Sequence, residues 1–314
     1  MTSPRIALLS TSDTDLLSAR ASGADYVYAN PSRPGHQSMA EVIEGADLVV
    51  GRILGSPTDL CSGFARIRDT GMPMLVLGGE EQPSAELMEL STVPMGVAAE
   101  AHRYLAQGGP TNLAQLHAFL SDTVLLTGEG FEAPAEVAPW GWAERTAPAA
   151  AATTAGDLPR VGILYYRAHD VSGNTAFAHA LADAVDATGQ AVGVPIFSSS
   201  LRTAPDELYA ALGTLDALVV TVLAAGGSKP ATASAGGDDE AWDVERMAAL
   251  DIPILQGLCL TSSRAEWEAS DDGVSPLDSA TQVAIPEFDG RIITAPFSFK
   301  EIDEDGLPRY VADP

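Results

Sequence analysis

The stretch RVGILYYRAHDVSGNTAFAHAL, residues 160–181, decides the fold of this 314-residue chain. Its first seven residues are almost continuously apolar, which is typical of a strand that is covered on both faces of a parallel sheet. A polar turn follows, and from 174 to 188 apolar side chains recur at helical spacing. A buried strand followed at once by an amphipathic helix is the repeating unit of an α/β sheet.

The same alternation continues on both sides of this stretch. Toward the C-terminus the sequence predicts strands over 192–197, 217–223 and 253–260, with helices over 205–212, 240–250 and 262–269. Toward the N-terminus it predicts strands over 5–10, 25–29, 46–50 and 74–77, with helices over 38–44, 57–69, 97–107 and 111–121. The sequence therefore predicts two doubly wound, flavodoxin-like layered units with mostly parallel sheets.

The boundary between the units is predicted from composition. We expect an N-terminal α/β domain over 1–131, an Ala/Pro-rich linker over 132–159 and a second α/β domain over 160–314. Trp140 and Trp142 argue against complete disorder of the linker, because indole side chains usually cover a surface. A Gly/Ala/Ser-rich loop over 226–239 is predicted to be poorly ordered. The tail over 301–314 carries no strong pattern, and we expect the natural polypeptide to continue.

Charge and hydropathy restrict the possible partners. The formal net charge is −26, which disfavours binding to nucleic acids and to anionic membranes. Such a surface could concentrate a metal cation, although its simpler role is to keep an Ala-rich protein soluble. The N-terminus has no signal-peptide core, so we expect a cytoplasmic protein. The two cysteines, Cys61 and Cys259, lie among apolar residues and are interpreted as core residues.

Several common catalytic motifs are absent from the sequence. It has no GxxxxGK[ST] phosphate loop, no HExxH or CxxC metal motif and no GxSxG elbow. Gly226 to Lys229 resembles a phosphate loop only loosely, because its spacing is wrong. If the function needs ATP, we expect another chain to bind it.

His169 follows the first strand of the 160–181 stretch directly. Ligand sites of open α/β sheets gather at the carboxyl ends of the strands. The residues from Ser172 to Asn174 offer a helix start whose backbone N–H groups suit an anion such as a carboxylate. The alternative is that Ser172 or Asn174 only caps the helix, and the sequence leaves both interpretations open.

A second candidate is Pro286-Glu287-Phe288-Asp289-Gly290, which follows a β-like segment over 281–285. Two carboxylates beside an aromatic residue suit proton removal and transient handling of a divalent cation. The alternative is that Asp289-Gly290 forms a hairpin turn, an interpretation that concerns Asp289 more than Glu287.

Four separated motifs occur in the order of a known family. They are YYRAHDVSGNTAFAHAL (165–181), PIFSSSLR (195–202), PILQGLCL (253–260) and WEASDDGVSPLDSATQVAIPEFDG (267–290). With them, the chain resembles cobaltochelatase large subunits of the CobN type and the related magnesium chelatase H subunits. The N-terminal segments DLVVGRILG (47–55), MPMLVLGG (72–79) and YLAQGGPTNLAQLHAFL (104–120) resemble the cobalt-type members more weakly.

The resemblance implies an N-terminal region of the tetrapyrrole-binding subunit of an ATP-dependent chelatase. Such an enzyme inserts Co²⁺ into hydrogenobyrinic acid a,c-diamide during cobalamin biosynthesis. The resemblance also implies AAA+ partner subunits that use ATP and Mg²⁺, and a fragment that is inactive alone. Glu287 matches the glutamate of the family's PELDG-like motif, with Phe288 in place of leucine, so a catalytic role is expected for it.

Further site residues are predicted around these two motifs. We expect the substrate to contact the following residues: Arg167, His169, Ser172, Asn174 and Asp289. His169 and Glu287 are the candidates for metal contact. Two alternatives from other classes stay open, a small-ligand-binding α/β module and a regulatory scaffold without catalysis.

Overall fold

The computed structural model describes residues 4–33, 39–54, 60–79, 85–145, 158–221 and 244–313. The chain folds as two compact units. The N-terminal unit comprises Met1–Val137 with Val171–Gly173, and the C-terminal unit comprises Ala138–Asp170 with Asn174–Pro314. Among the described residues, none of the helices combines the length and the apolarity that crossing a bilayer requires.

A four-stranded parallel sheet forms the centre of the N-terminal unit, in the order β2-β1-β3-β4. Its strands are β1 (Ile6–Ser10), β2 (Tyr26–Ala29), β3 (Leu48–Ile53) and β4 (Met74–Gly78). The helices of this unit are α1 (Asp13–Ser22), α2 (Met39–Val42), α3 (Cys61–Asp69), α4 (Ala85–Met88), α5 (Met95–Gln107) and α6 (Gly109–Thr123). Every residue of β1 and β4 is buried, as expected for apolar strands in a parallel sheet.

A seven-stranded sheet forms the centre of the C-terminal unit. Its strands are β5 (Trp140–Trp142), β6 (Arg160–Tyr166), β7 (Val192–Ser198), β8 (Ala217–Val220), β9 (Ile254–Leu260), β10 (Ile292–Ile302) and β11 (Pro308–Ala312). The parallel strands follow the order β7-β6-β8-β9-β10, which is the 2-1-3-4-5 order of flavodoxin-like sheets. β5 and β11 join the two edges antiparallel. The predicted fold class is confirmed.

Short helices connect these strands. They are α7 (Arg167–Val171), α8 (Ala176–Ala187), α9 (Asp206–Leu212), α10 (Val244–Ala248), α11 (Arg264–Glu268), α12 (Pro276–Asp278), a π-helical segment (Ser279–Ala284) and α13 (Ile285–Phe288). α11 confirms the helix predicted over 262–269. Its N-cap is Ser263, whose hydroxyl accepts from the Glu266 backbone while the Glu266 carboxylate accepts from the Ser263 backbone.

The β-like interpretation of residues 281–285 is wrong. These residues continue one helical run that starts at α12 and ends with α13. The alternation of Thr281, Val283 and Ile285 imitates a strand, but Ser275 caps the run by accepting from the Asp278 backbone. Asp289-Gly290 is not a hairpin turn either. Gly290 has a φ of 72° and stands just after the helix, where a left-handed residue commonly ends it.

The tail and the predicted linker, which carry weak sequence patterns, both contribute residues to strands. The tail over 301–314, which carries no strong sequence pattern, contains the end of β10, and β10 pairs antiparallel with β11 from Ser298 to Ile302. Within the span predicted as a linker, the Asn112 side chain bonds both backbone groups of Ala135, and Trp140 begins β5. The loop predicted over 226–239 and the Gly226–Lys229 sequence lie outside the described residues.

Candidate functional site

His169 lies in α7, a single helical turn that begins directly after β6. Its half-buried ring meets Phe177 edge-on with 5.6 Å between ring centroids, and Tyr310 edge-on with 5.3 Å. The Tyr166 ring lies 6.4 Å away. The predicted position at the carboxyl end of a strand is therefore correct, although a helix replaces the predicted turn. The ring is held by aromatic packing.

Asn174 connects α7 to the edge strand β11. Its backbone N–H donates to the His169 carbonyl at 2.9 Å, and its side-chain oxygen accepts from the Tyr310 backbone at 3.1 Å. Its amide nitrogen lies 3.4 Å from His169 Nδ1. The residue is 5% exposed. The N-cap of α8 is Thr175, so Asn174 joins two elements of the fold instead of capping the helix.

Arg167 and Ser172 occupy the two ends of the same short segment. Arg167 opens α7, and its Nε donates to the Ala138 carbonyl at 2.9 Å. Burial lowers the pKa of Arg167, and the nearby charge of Asp170 acts in the opposite direction. Ser172 follows α7 and is buried.

The helical run ending in α13 presents Glu287 and Phe288 on its exposed side. Glu287 is exposed, and Phe288 is 72% exposed although it is a large apolar residue. Leu277 at the start of the same run is 59% exposed. Pro286, by contrast, is buried. The run therefore exposes a carboxylate and an aromatic ring at consecutive positions of its last turn.

Asp289 and Arg291 form an ion pair behind this surface. Arg291 Nη2 lies 2.7 Å from Asp289 Oδ2, and the two side chains are 0% and 2% exposed. Arg291 Nη1 donates to Gln256 Oε1 at 2.7 Å, and Gln256 Nε2 donates to Gln282 Oε1 at 3.1 Å. Burial lowers the pKa of Arg291, and Asp289 opposes that shift. We call Gln282, Gln256, Arg291 and Asp289 the buried relay.

Tyr166 belongs to the aromatic surroundings of His169, with 6.4 Å between the two ring centroids. Asp289 belongs to a different cluster, the buried ion pair that precedes β10. The structure therefore places the two predicted motifs in separate clusters of the C-terminal unit, one aromatic and one polar.

Arg291 and Gln256 were not predicted from the sequence. Gln256 carried a usable signal, because it is the one polar side chain in the apolar strand β9, and it is 0% exposed. A polar side chain in such a position requires a partner. Arg291 stands alone before an apolar strand, and no spacing rule singles it out.

The described residues contain no group of three or more His, Cys, Asp or Glu side chains arranged to hold a metal ion. Asp278 is 0% exposed, but it accepts from Thr261 and Ser275 at 3.0 to 3.2 Å and closes the end of β9. Cys259 is a buried free thiol whose pKa is raised by burial, which confirms its interpretation as a core residue. The metal contacts predicted for His169 and Glu287 stay predictions.

Comparison with known proteins extends these observations. A family model described as CobN/Magnesium Chelatase matches residues 102–314. An aerobic cobaltochelatase subunit CobN of Pseudomonas aeruginosa is 29% identical over 260 residues, which cover 79% of this chain and 20% of that protein. A subunit of the same description from a Sinorhizobium species is 32% identical over 244 residues, which cover 72% and 18%.

A solved structure is similar over the whole chain. It is described as the catalytic subunit of cobaltochelatase from Mycobacterium tuberculosis, with 54% identity and a TM-score of 0.73. The match covers 100% of this chain and 26% of that one. The chain thus spans about a fifth to a quarter of the length of these relatives.

Proposed function

The chain belongs to the CobN/magnesium chelatase family, and from that premise we propose that it is the N-terminal region of a tetrapyrrole-binding cobaltochelatase subunit. In this proposal the substrates are Co²⁺ and hydrogenobyrinic acid a,c-diamide, and the reaction serves cobalamin biosynthesis in the cytoplasm. AAA+ partner subunits hydrolyse ATP with Mg²⁺. The sequence supports the assignment of ATP hydrolysis to partner subunits, because it contains no phosphate loop.

The exposed pair of Glu287 and Phe288 carries the proposal. Metal insertion replaces protons on ring nitrogens with the metal, so the site needs a base close to the ring. An exposed carboxylate can accept such a proton, and an adjacent exposed aromatic face can pack against a flat macrocycle. We assign Glu287 the role of base or of metal transfer to the ring.

The residues around β6 have a second place in the proposal. Arg167 and His169 are half-buried at the carboxyl end of β6, and an arginine there suits the carboxylate groups of a corrinoid. Ser172, Asn174 and Asp289 are buried, and their substrate contacts stay predictions. We also propose that the chain alone neither hydrolyses ATP nor inserts the metal.

Replacement of Glu287 tests the assignment. Glu287→Gln keeps size and hydrogen bonding but removes the charge. In the complete subunit with its ATPase partners, we expect cobalt insertion to slow by about 10²- to 10⁴-fold, the usual contribution of a general base. Corrinoid affinity, measured by fluorescence quenching, should change far less.

Glu207→Gln is the matched control, because Glu207 is an exposed glutamate on α9 of the same unit and lies outside the motif. It should leave insertion unchanged. A wild-type insertion rate for Glu287→Gln would contradict the catalytic role and make Glu287 a structural residue. Loss of corrinoid affinity with an unchanged maximal rate would make it a substrate-binding residue instead of a base.

A further inference from the structure

We propose that Arg291 is a positioning residue of the insertion reaction, which acts by holding α13 so that Glu287 faces the ring. The inference rests on the function proposed for Glu287. Arg291 itself does not touch the surface that carries Glu287, because its side chain is 0% exposed. Its influence passes through the buried relay.

Backbone hydrogen bonds hold the chain on both sides of Glu287. The Pro286 carbonyl accepts from the Asp289 N–H at 3.1 Å and from the Arg291 N–H at 3.2 Å. The Glu287 carbonyl accepts from the Gly290 N–H at 3.0 Å. The ion pair between Asp289 and Arg291 then closes this turn through side chains. The direction of the Glu287 side chain therefore depends on a turn that Arg291 closes twice, by its backbone and by its guanidinium.

Gln256 connects that turn to the sheet and to the π-helical segment. Gln256 is anchored in β9 and accepts from Arg291 through its side-chain oxygen. Its amide donates to Gln282, which is 7% exposed and lies in the π-helical segment before α13. The helical run is thus fastened to β9 both before and after Glu287, at Gln282 and at Arg291.

The chemistry of the relay explains why an arginine stands at this position. A guanidinium is planar and offers two arms in a fixed geometry, so it binds Asp289 and Gln256 together. A lysine ammonium keeps the charge but not the fork. A buried ion pair is often no more stabilising than apolar packing of the same volume, so stability alone does not account for it. Holding the end of α13 in one orientation accounts for the pair.

Hydrogen exchange tests the positioning directly and requires no activity. In the 314-residue chain, Arg291→Lys should speed exchange in a peptide covering residues 279–290 by about ten-fold or more, because local opening becomes easier. Peptides of the N-terminal unit should not change. Arg309→Lys is the matched control, because Arg309 pairs with Asp303 on the exposed hairpin at 3.1 Å. Unchanged exchange over 279–290 in Arg291→Lys would overturn the proposal.

Kinetics in the complete subunit provides the second readout. Arg291→Lys should lower kcat about ten-fold or more and raise the Kd for the corrinoid by a smaller factor, since Phe288 lies on the same helix end while the residues around β6 are unchanged. Combined with Glu287→Gln, it should cause no further loss of kcat, because both changes act on one group. Equal fold-losses of kcat in both backgrounds, or a Kd that rises by as large a factor as kcat falls, would overturn the positioning role.

Two further outcomes are distinguishable. If Glu287→Gln inserts cobalt at the wild-type rate, the proposed function of Glu287 fails, and the exchange experiment alone decides whether Arg291 holds the helix end. If Arg291→Lys does not fold, Gln256→Met replaces it, because this change cuts the relay and keeps the ion pair. Gln256→Met should also speed exchange over residues 279–290 and lower kcat, by smaller factors than Arg291→Lys. Unchanged exchange and unchanged kcat in Gln256→Met would overturn the proposal.

Discussion

The two units each bury an arginine–aspartate pair, but the pairs are anchored in different ways. In the N-terminal unit, Arg52 Nη1 lies 2.7 Å from Asp15 Oδ1. Arg52 also donates to the backbone carbonyls of Leu105 at 3.0 Å and Gly79 at 3.4 Å. In the C-terminal unit, Arg291 binds side chains, the carboxylate of Asp289 and the amide of Gln256.

The difference separates two uses of a buried charge. Arg52 fastens the chain after β4 and the end of α5 to the sheet, and Ser10 adds a donor to Asp15 at 2.7 Å. Burial raises the pKa of Asp15, and Arg52 opposes that shift. The contacts of Arg52 therefore depend mainly on the position of the backbone. The contacts of Arg291 depend on the conformations of neighbouring side chains, and they lead to the helix that carries Glu287.

The largest effect is expected from removing the arginine of the C-terminal pair. Arg291→Ala leaves Asp289 buried without its cation, and the free energy of unfolding should fall by about 3–5 kcal/mol. Urea denaturation of the chain measures this loss, with hydrogen exchange used to follow the unfolding of each unit separately. The double change of Asp289→Leu with Arg291→Met removes both charges and should recover most of the loss. Equal losses in single and double variants would contradict the ion-pair explanation.

The equivalent change in the N-terminal unit should cost less. Arg52→Ala removes charged hydrogen bonds, but Ser10 still donates to Asp15, and the two charged side chains are 11% and 6% exposed. We expect a loss of about 2–3 kcal/mol by the same denaturation experiment. Arg103→Ala is the control, because Arg103 is 66% exposed in its pair with Glu100 and should change stability little. A loss larger than that of Arg291→Ala would reverse the comparison.

The pH dependence of the N-terminal unit sharpens the contrast. Burial lowers the pKa of His117, although the Pro4 carbonyl opposes this shift. A base whose pKa is lower in the folded state binds fewer protons when folded, so stability is complete above the unfolded value of about 6.5 and falls as pH drops below it. The slope cannot exceed about 1.4 kcal/mol per pH unit for one proton. Denaturation at a series of pH values between about 7.5 and 5 measures this slope. His117→Gln should reduce the pH dependence of the stability of the N-terminal unit and leave that of the C-terminal unit unchanged.

The smallest expected effect tests whether a general loss of stability in the C-terminal unit, without loss of the buried relay, slows the reaction. Ser263→Ala removes the N-cap of α11 and should lower the free energy of unfolding by about 1 kcal/mol. Ser263→Asp keeps an acceptor at the cap and should restore it. Because α11 contributes nothing to the buried relay, insertion by Ser263→Ala should stay near the wild-type rate. A kinetic defect like that of Arg291→Lys would show that stability, and not positioning, limits the reaction.

The fold was predictable because its signals are local. Continuous apolar runs indicated β1, β3, β4, β6 and β9, and the helix predicted over 262–269 is α11. The helical run beginning at Ser275 was missed, since its β-branched residues alternate as in a strand. The Ser275-Pro276 pair, a typical cap followed by proline at the first helical position, was the signal that could have corrected the interpretation.

The site was predictable only in part, for a different physical reason. Glu287 and His169 lie in motifs that resemble a known family, so the sequence indicated them. Their supports come from distant parts of the chain. Gln256 is 35 residues from Arg291, and Asn174 is 136 residues from its partner Tyr310. Side-chain pairing over such separations leaves no periodic pattern, and it becomes visible only once the strands are arranged.

The π-helical segment Ser279–Ala284 has a consequence for how this surface could arise. A π turn holds one residue more than an α-helical turn, so the segment is equivalent to a single-residue insertion into an ordinary helix. A π turn takes up its extra residue within one rotation, so the residues that follow keep the direction they would have in an uninterrupted α-helix. Loss of one residue from this segment would therefore leave Glu287 and Phe288 aimed as they are, whereas the same loss from an α-helical stretch would rotate both by roughly 100°. The segment can thus lose one codon without re-aiming either side chain.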